Sequence, residues 1–559
     1  MKLEIIIRRL SLLILTVGPA VSLAVSPAWN YDPINLVKIL CLSTFSFGIF
    51  GIVMSDFSLI KNRLPNIFWF ICLFFALALV NPLLLSGAPL NQQFWGAFGR
   101  NTGFLTYISL LFILIGTAIV KKFSFYKAVV HSLIWTSVPV TFYSLIQIAG
   151  MDPVAWSAKF TFATFGNVNF LSAFMGMSTL ASLILILDKN LGFSRKILLG
   201  ILSAIDILII TSTDSIQGVM ILIAGIGIAV YLYVINSNKL SRFKVPYLIL
   251  AITGFILTVF GIGNKGPLAR FIFQDSIIFR SDYMHAGWAM TLNRPFFGVG
   301  LDSYGDWYRQ VRGSISANRT GPDRTANTAH NIFLDLSSSG GFPLLFGYLA
   351  LVGFAVALSV KWLRSNKVFD AYFTSIFSCW VAYQIQALVS INQIGVGIWG
   401  WILNGALIGI CLTDIEGNNR FRNQDRIKKI KGLGLAPKTG IYAILFSLLG
   451  FTLAFLPFNA DSKYRTAFLS RDLNKMILAV HSLGSTSWHL SELVSAAYTN
   501  NLTQQAKVLD LELRTKYPHD FFGWKILYFL STSTEAEKSL ALNKMYELDP
   551  FNSENPPKS

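Results

Sequence analysis

The chain has 559 residues, of which 53% are hydrophobic and only 13% charged, and its mean hydropathy is +0.55. That composition excludes a disordered chain and an ordinary soluble enzyme. The formal charge of +18 would suggest nucleic acid in a soluble protein, so the basic residues must first be placed relative to the apolar runs.

Apolar segments long enough for about twenty residues of helix across a roughly 30 Å hydrocarbon core recur throughout the first 456 residues. The sequence predicts about thirteen spans, at approximately 10–25, 34–54, 67–85, 104–120, 128–149, 170–187, 197–210, 219–235, 247–262, 342–360, 371–390, 394–412 and 441–456. Arg8 and Arg9 precede the first run and small residues follow near Ala24 and Ser26, a pattern that also suits a cleaved signal peptide. Retention as a first span is the reading adopted, and later spans keep their orientation either way.

Every second connection is basic: Lys2, Arg8 and Arg9; Lys61 and Arg63; Lys121, Lys122 and Lys127; Lys189, Arg195 and Lys196; Lys239, Arg242 and Lys244; Lys361, Arg364 and Lys367; and finally the stretch 420–438. Cytoplasmic loops hold excess Lys and Arg, so these connections are expected inside, with the N-terminus cytoplasmic and the C-terminal tail external in a plasma (inner) membrane. Outside this set lie Arg100, Lys159 and one long loop. Membrane retention accounts for much of the charge, the basic loop 413–440 faces anionic lipid, and nucleic acid is not an expected partner. Cys41, Cys72, Cys379 and Cys411 fall within spans and suit apolar packing, with neither disulfide nor metal spacing.

The external loop 265–341 contains Arg270, Arg280, Arg294, Arg309, Arg312, Arg319 and Arg324, yet no lysine beyond Lys265. Arginine grips phosphate in two places where lysine offers a point charge, so this loop suggests a phosphate-bearing ligand at the membrane surface. Pairing with Asp275, Asp282, Asp302, Asp306, Asp323 and Asp335 would instead leave it nearly neutral. Met284, Trp288 and Met290 predict a helix over 281–292, stopped by Asn293, Arg294 and Pro295. A glycine-rich turn follows at 296–300, and the segment 337–341 forms a hinge into the tenth span. His330 lies next to the expected outer surface, where an imidazole is suited to hold or deprotonate a hydroxyl. Of the other histidines, His285 is its competitor, His131 suits helix packing, and His481, His489 and His519 belong to the tail.

The run Arg280-Ser-Asp-Tyr-Met-His-Ala-Gly-Trp288, then Arg294-Pro-Phe-Phe-Gly-Val-Gly-Leu301, then Thr328-Ala-His330-Asn331 and Gly340-Gly341 resembles the O-antigen ligase-like superfamily of polytopic glycosyltransferases. That superfamily includes O-antigen ligases, O-antigen polymerases and bacterial protein O-oligosaccharyltransferases. The resemblance covers roughly residues 90–412. It extends to Phe98-Gly-Arg100-Asn-Thr-Gly103 and to Phe165-Gly-Asn167-Val-Asn169-Phe170, both on the expected outer side. It implies transfer of a glycan from a polyprenyl-diphosphate carrier to an acceptor hydroxyl of a glycan, lipid or protein, with no metal and no cofactor. It further implies that Arg100, Arg280 and Arg294 hold the diphosphate and that His330 is catalytic, with His285, Trp288, Asn331, Asn167 and Asn169 as secondary candidates. Arg100 also suits an interfacial snorkelling residue, and Asn167 and Asn169 also suit a helix cap. One departure stands out: where many relatives have a Ser-Arg-Gly-like turn after the seventh span, this chain has Thr213-Asp214-Ser215-Ile216-Gln217-Gly218. An arginine missing there implies that another residue does its work, or that the donor differs.

Residues 459–559 have soluble composition and are expected to form helices over 473–483, 490–499, 503–516, 522–530 and 534–548. The similar stretches ending in Pro518 and Pro550 resemble a degenerate pair of tetratricopeptide repeats. Such a tail would recruit an acceptor or protein partner, or simply cap the membrane domain. The expected architecture is therefore an all-α polytopic domain over 1–458, with a large external loop and a small external helical-repeat tail over 459–559. A secondary transporter or lipid-linked glycan flippase is the rival of another class. Lys38 and Asp206 are its conspicuous intramembrane charges, but motif-rich material gathers at one surface and no inverted repeat is apparent.

Overall fold

The structure, a computed structural model, describes residues 2–156, 160–273, 275–322, 324–366, 368–415 and 437–557. Lys159, Asp323, Lys367 and nearly all of the basic stretch 420–438 lie outside the described residues. Among the described residues helix is the only regular structure, as expected for a chain whose backbone groups must be satisfied without water.

Each of the thirteen expected spans falls on a helix. The first nine are α1 Lys2–Leu23, α2 Asn35–Met54, α3 Asn66–Leu85, α4 Phe104–Val120, α5 Phe123–Ile148, α6 Val168–Leu185, α7 Phe193–Ser212, α8 Ile216–Ile235 and α9 Lys244–Ile262. The long loop after α9 contributes α10 Asp275–Asn293 and α11 Tyr304–Val311, and the remaining membrane helices are α12 Ile332–Ser365, α13 Ala371–Ala387, α14 Ile394–Ile415 and α15 Pro437–Leu469. Among the described residues ten helices are long and apolar enough to cross a membrane, with α4 as a shorter apolar helix. The helices α7 and α13 occupy the other two expected places. Burial orders the bundle: the apolar window of α14 is 100% buried and that of α6 83%, whereas that of α9 is only 6% buried. Thus α14 and α6 form the centre and α9 stands at the rim. The last membrane helix, α15, returns to pack along α2 and continues unbroken past the expected domain boundary at 458.

The two conspicuous charges inside the bundle both have hydrogen-bond partners from other parts of the bundle. Lys38 is fully buried and its Nζ donates to the carbonyls of Val21, Ser22 and Ala24 at 2.8, 2.9 and 3.1 Å. It therefore caps the C-terminal end of α1, where orphan carbonyls and the helix dipole favour a cation. Asp206 accepts a hydrogen bond from the Thr141 hydroxyl at 2.6 Å.

The tail forms α16 Leu473–Val480, α17 Ser487–Thr499, α18 Thr503–Lys516, α19 Phe521–Phe529 and α20 Glu535–Leu548, close to the expected set. Caps set their starts. Asp472 and Asp520 accept from the backbone at Lys475 and Gly523, and Thr534 with Glu537 forms a capping box. The tail packs on the end of the bundle that bears the long loop: the Tyr31 amide donates to the Asp461 carboxylate at 2.7 Å, and Asn91 to the Tyr517 hydroxyl at 2.7 Å.

Candidate functional site

The loop after α9 folds around its own small core of Ala286, Met290, Val299, Tyr304, Tyr308, Ala326 and Ala329. Its glycine turn locks onto the kink of α12. The amides of Val299 and Gly300 donate to the carbonyls of Ser338 and Ser339 at 2.8 and 3.1 Å, and that of Phe342 to Pro295 O at 2.7 Å. Two positions require glycine. Gly298 and Gly341 have φ of +63° and +70°, and a Cβ on Gly298 would meet the Ser339 backbone while one on Gly341 would meet the Pro295 carbonyl. The expected hinge at 337–341 is this kink.

Two half-buried carboxylates then hold the turns that carry Arg100 and His330. Asp302 directly follows the glycine turn, with φ +54°. Its carboxylate accepts from the amides of Ala97 and Thr102 at 2.7 and 3.0 Å, and from the Thr102 hydroxyl at 3.0 Å. It thereby holds the turn that presents Arg100. Asp335, on the first turn of α12, accepts from Ala329 N at 2.6 Å and holds the turn that presents His330. Asn331 caps α12, accepting from the amides of Phe333 and Leu334 at 3.0 and 3.1 Å. The cap explains the residue type after His330 without a role in binding.

Arg100, Arg280 and His330 come together. Arg100 donates through Nη2 to Asn327 Oδ1 at 2.9 Å, and a small cavity of about 20 Å³ beside it is lined by Thr102, Tyr107, Tyr304, Thr328 and Asn392. That is room for about one water molecule. Arg280 makes no hydrogen bond or ion pair with any described residue, and burial lowers its pKa. The His330 ring lies 5.3 Å from that of Tyr283, and neither of its nitrogens is hydrogen-bonded to a described residue. Burial, followed by the charges of Arg100 and Arg280, pushes His330 down to about 3. Its imidazole is therefore neutral at physiological pH, an acceptor on one nitrogen and a donor on the other.

The remaining candidates lie elsewhere. Arg294 donates to the Ser86 carbonyl at 2.8 Å and covers the Trp307 ring at 4.3 Å, so its guanidinium braces the loop. His285 is exposed and turned back on its own helix, with Nδ1 2.7 Å from the Ser281 carbonyl oxygen. Trp288 is 45% exposed, edge-on to Phe342. Asn167 caps α6 by accepting from Asn169 N at 2.8 Å, and Asn169 accepts from the Ser215 hydroxyl at 2.8 Å. That bond reaches the turn lacking the family arginine, where Gln217 accepts from Gln386 and Ser390 at 3.0 and 3.2 Å. A neutral polar network stands there in place of a cation.

The arginines of the loop divide in a way the sequence did not foretell. Arg319 pairs with Asp282 at 2.7 Å, but Arg309 and Arg312 pair with Asp549 of the tail at 2.9 and 2.8 Å. The sequence also underrated Asp302 and Asp335, counted there only as possible charge partners. The available signal was position: Asp302 closes the glycine turn and Asp335 stands one helical turn beyond Asn331. No group of histidine, cysteine and carboxylate side chains suited to a metal occurs among the described residues.

No curated protein is significantly similar to the chain. Residues 180–349 match the family model described as O-Antigen ligase. The match takes in Arg280, Arg294 and His330, and ends short of Arg100, Asn167 and Asn169. This segment is similar to the O-antigen ligase family, which supports a membrane glycan-transferring enzyme at family level for the all-helical, multi-pass chain.

Proposed function

We propose that the protein transfers a glycan from a polyprenyl-diphosphate donor to an acceptor hydroxyl at the outer face of the cell membrane, with its N-terminus cytoplasmic and its tail external. The observation that carries this reading is the convergence of two guanidiniums on a neutral imidazole at one end of the bundle. Arg280, which has no partner among the described residues, and Arg100 bind the diphosphate. As the bond between the anomeric carbon and the diphosphate oxygen breaks, negative charge grows on the leaving group, and fixed guanidiniums in a partly dehydrated site stabilise it. Neutral His330 accepts a hydrogen bond from the attacking hydroxyl and takes its proton as the new glycosidic bond forms. Asp302 and Asp335 hold these groups in place, and membrane lipids surround them.

The transfer is of the ligase type, with chain polymerisation or transfer to protein as the neighbouring reactions. The test is purified protein in vesicles with a polyprenyl-diphosphate glycan and separate lipid, glycan and protein acceptors. Product on an acceptor with release of the carrier diphosphate is expected. Growth of the carrier-bound chain would make it a polymerase, and donor movement across the vesicle without product would overturn transfer.

A further inference from the structure

The tail holds both halves of the candidate site. At the first half, Phe98, two residues before Arg100, stacks on Trp488 with centroids 4.0 Å apart and planes within 6°. Asn91 donates to the Ser485 carbonyl at 3.1 Å and to Tyr517. At the second half, the His519 ring lies 4.1 Å from that of Trp307, the same ring that Arg294 covers.

The strongest link is Asp549, directly after α20. Arg312 donates to it through Nε at 3.1 Å and through Nη2 at 2.9 and 2.8 Å, and Arg309 donates at 2.9 Å. The side chains of Arg312 and Asp549 are both 0% exposed. Arg312 also donates through Nη1 to the carbonyls of Gly321 and Arg324, each at 3.2 Å. It thus ties the tail to the segment that runs on to Asn327, the partner of Arg100, and to His330. A buried, forked ion pair adds little net stability but fixes geometry strongly, since either partner alone leaves an uncompensated charge.

We propose that Asp549 is a positioning residue for glycan transfer. Through Arg312 and Arg309 it holds the loop at the carbonyls of Gly321, Pro322 and Arg324, and with it His330, in register with Arg100 and Arg280. The tail is then part of the catalytic apparatus for every acceptor, not a recruiting module. This inference rests on the transfer reading above.

The full-length Asp549→Asn and Arg312→Lys variants, with Lys525→Ala on the exposed Lys525–Glu554 pair as control, are assayed in vesicles with a polyprenyl-diphosphate glycan and at least two acceptors. Misplacement of a reacting group by about 1 Å costs roughly 100-fold. The expected result is a fall in kcat of about that size for Asp549→Asn with every acceptor, with KM for the acceptor unchanged and Asp549→Glu restoring part of the rate. Arg312→Lys keeps the charge but loses the fork, so it tests the geometry should Asp549→Asn insert poorly; a fall of roughly tenfold or more is expected. Wild-type kcat in Arg312→Lys, or a raised acceptor KM at unchanged kcat in either variant, overturns the proposal. Limited trypsin digestion at Arg319 and Arg324 separates the two readings. If wild-type protein shows no transfer, the transfer reading falls. Faster cleavage in Asp549→Asn then still supports the hold on the loop, and unchanged cleavage removes that as well.

Discussion

Arg280 and Arg312 belong to one long loop and have identical chemistry, yet their surroundings are opposite. Arg312 is enclosed, with its guanidinium on Asp549 and on two carbonyls. Arg280 has no hydrogen-bond partner among the described residues, and its charge acts on His330, where burial first and then Arg100 and Arg280 lower the imidazole pKa. What separates a structural arginine from one available to a ligand is therefore the disposal of its donors. A sequence shows how many guanidiniums a loop has, and only the fold shows which are already engaged.

Substitutions sharpen this contrast, beginning with the largest effect. His330→Ala is expected to lower the transfer rate by about 10²–10⁴-fold, with insertion and expression unchanged; near-normal product from well-expressed protein would remove His330 from the mechanism. Arg312→Ala removes the fork and leaves Asp549 buried with Arg309 as its one remaining arginine, at a cost of up to about 3–5 kcal/mol, expected as a separate, lower-temperature melting step of the tail. Arg280→Lys keeps the charge and loses the two-point grip, so donor turnover should fall roughly 10- to 100-fold while melting is unchanged. Unaltered donor kinetics would make Arg280 structural as well.

The pH dependence follows from His330. With the folded imidazole at about 3 and the unfolded one near 6.5, the group remains neutral in the free enzyme between those values. The donor kcat/KM should therefore show no acid limb from this residue between pH 7 and 4. Over the same window unfolded chains take up a proton that the folded site refuses, so this group opposes folding increasingly as the pH falls. Bound diphosphate adds negative charge beside the ring and favours imidazolium, so the acid limb of kcat should lie at higher pH than that of kcat/KM. The smallest effect is expected at the partly exposed Arg319–Asp282 pair, where Arg319→Ala should change stability by about 0–1 kcal/mol and leave transfer untouched.

The membrane helices were legible because each apolar run is a local property of the chain, and so were the tail helices, whose caps at Asp472, Asp520 and Thr534 are written in short stretches. Bringing Arg280 and His330 together was anticipated from the resemblance, since both lie in one loop. The Arg312–Asp549 pair was not, because its partners stand 237 residues apart and no periodicity connects them. The same limit applies to Arg294, which the motif presents like any other loop arginine until Ser86 and Trp307 are seen around it. Lys38 and Asp206 looked like transport charges for a related reason: the carbonyls at the end of α1 and the Thr141 hydroxyl that engage them come from other helices.

The backbone of His330 bears on what substitution at this site can reveal. Its φ of +53° lies in the left-handed region, which asparagine, aspartate and histidine enter more readily than other side-chain-bearing residues. Replacement by alanine therefore removes the imidazole and also burdens the turn, by about 1–2 kcal/mol; a β-branched residue would burden it further. Asparagine keeps the turn and removes only the ring, which makes His330→Asn the cleaner report on proton transfer. The same constraint narrows the substitutions open to natural drift, so a lineage that lost the chemistry while retaining the fold would be expected to carry asparagine, aspartate or glycine at this position.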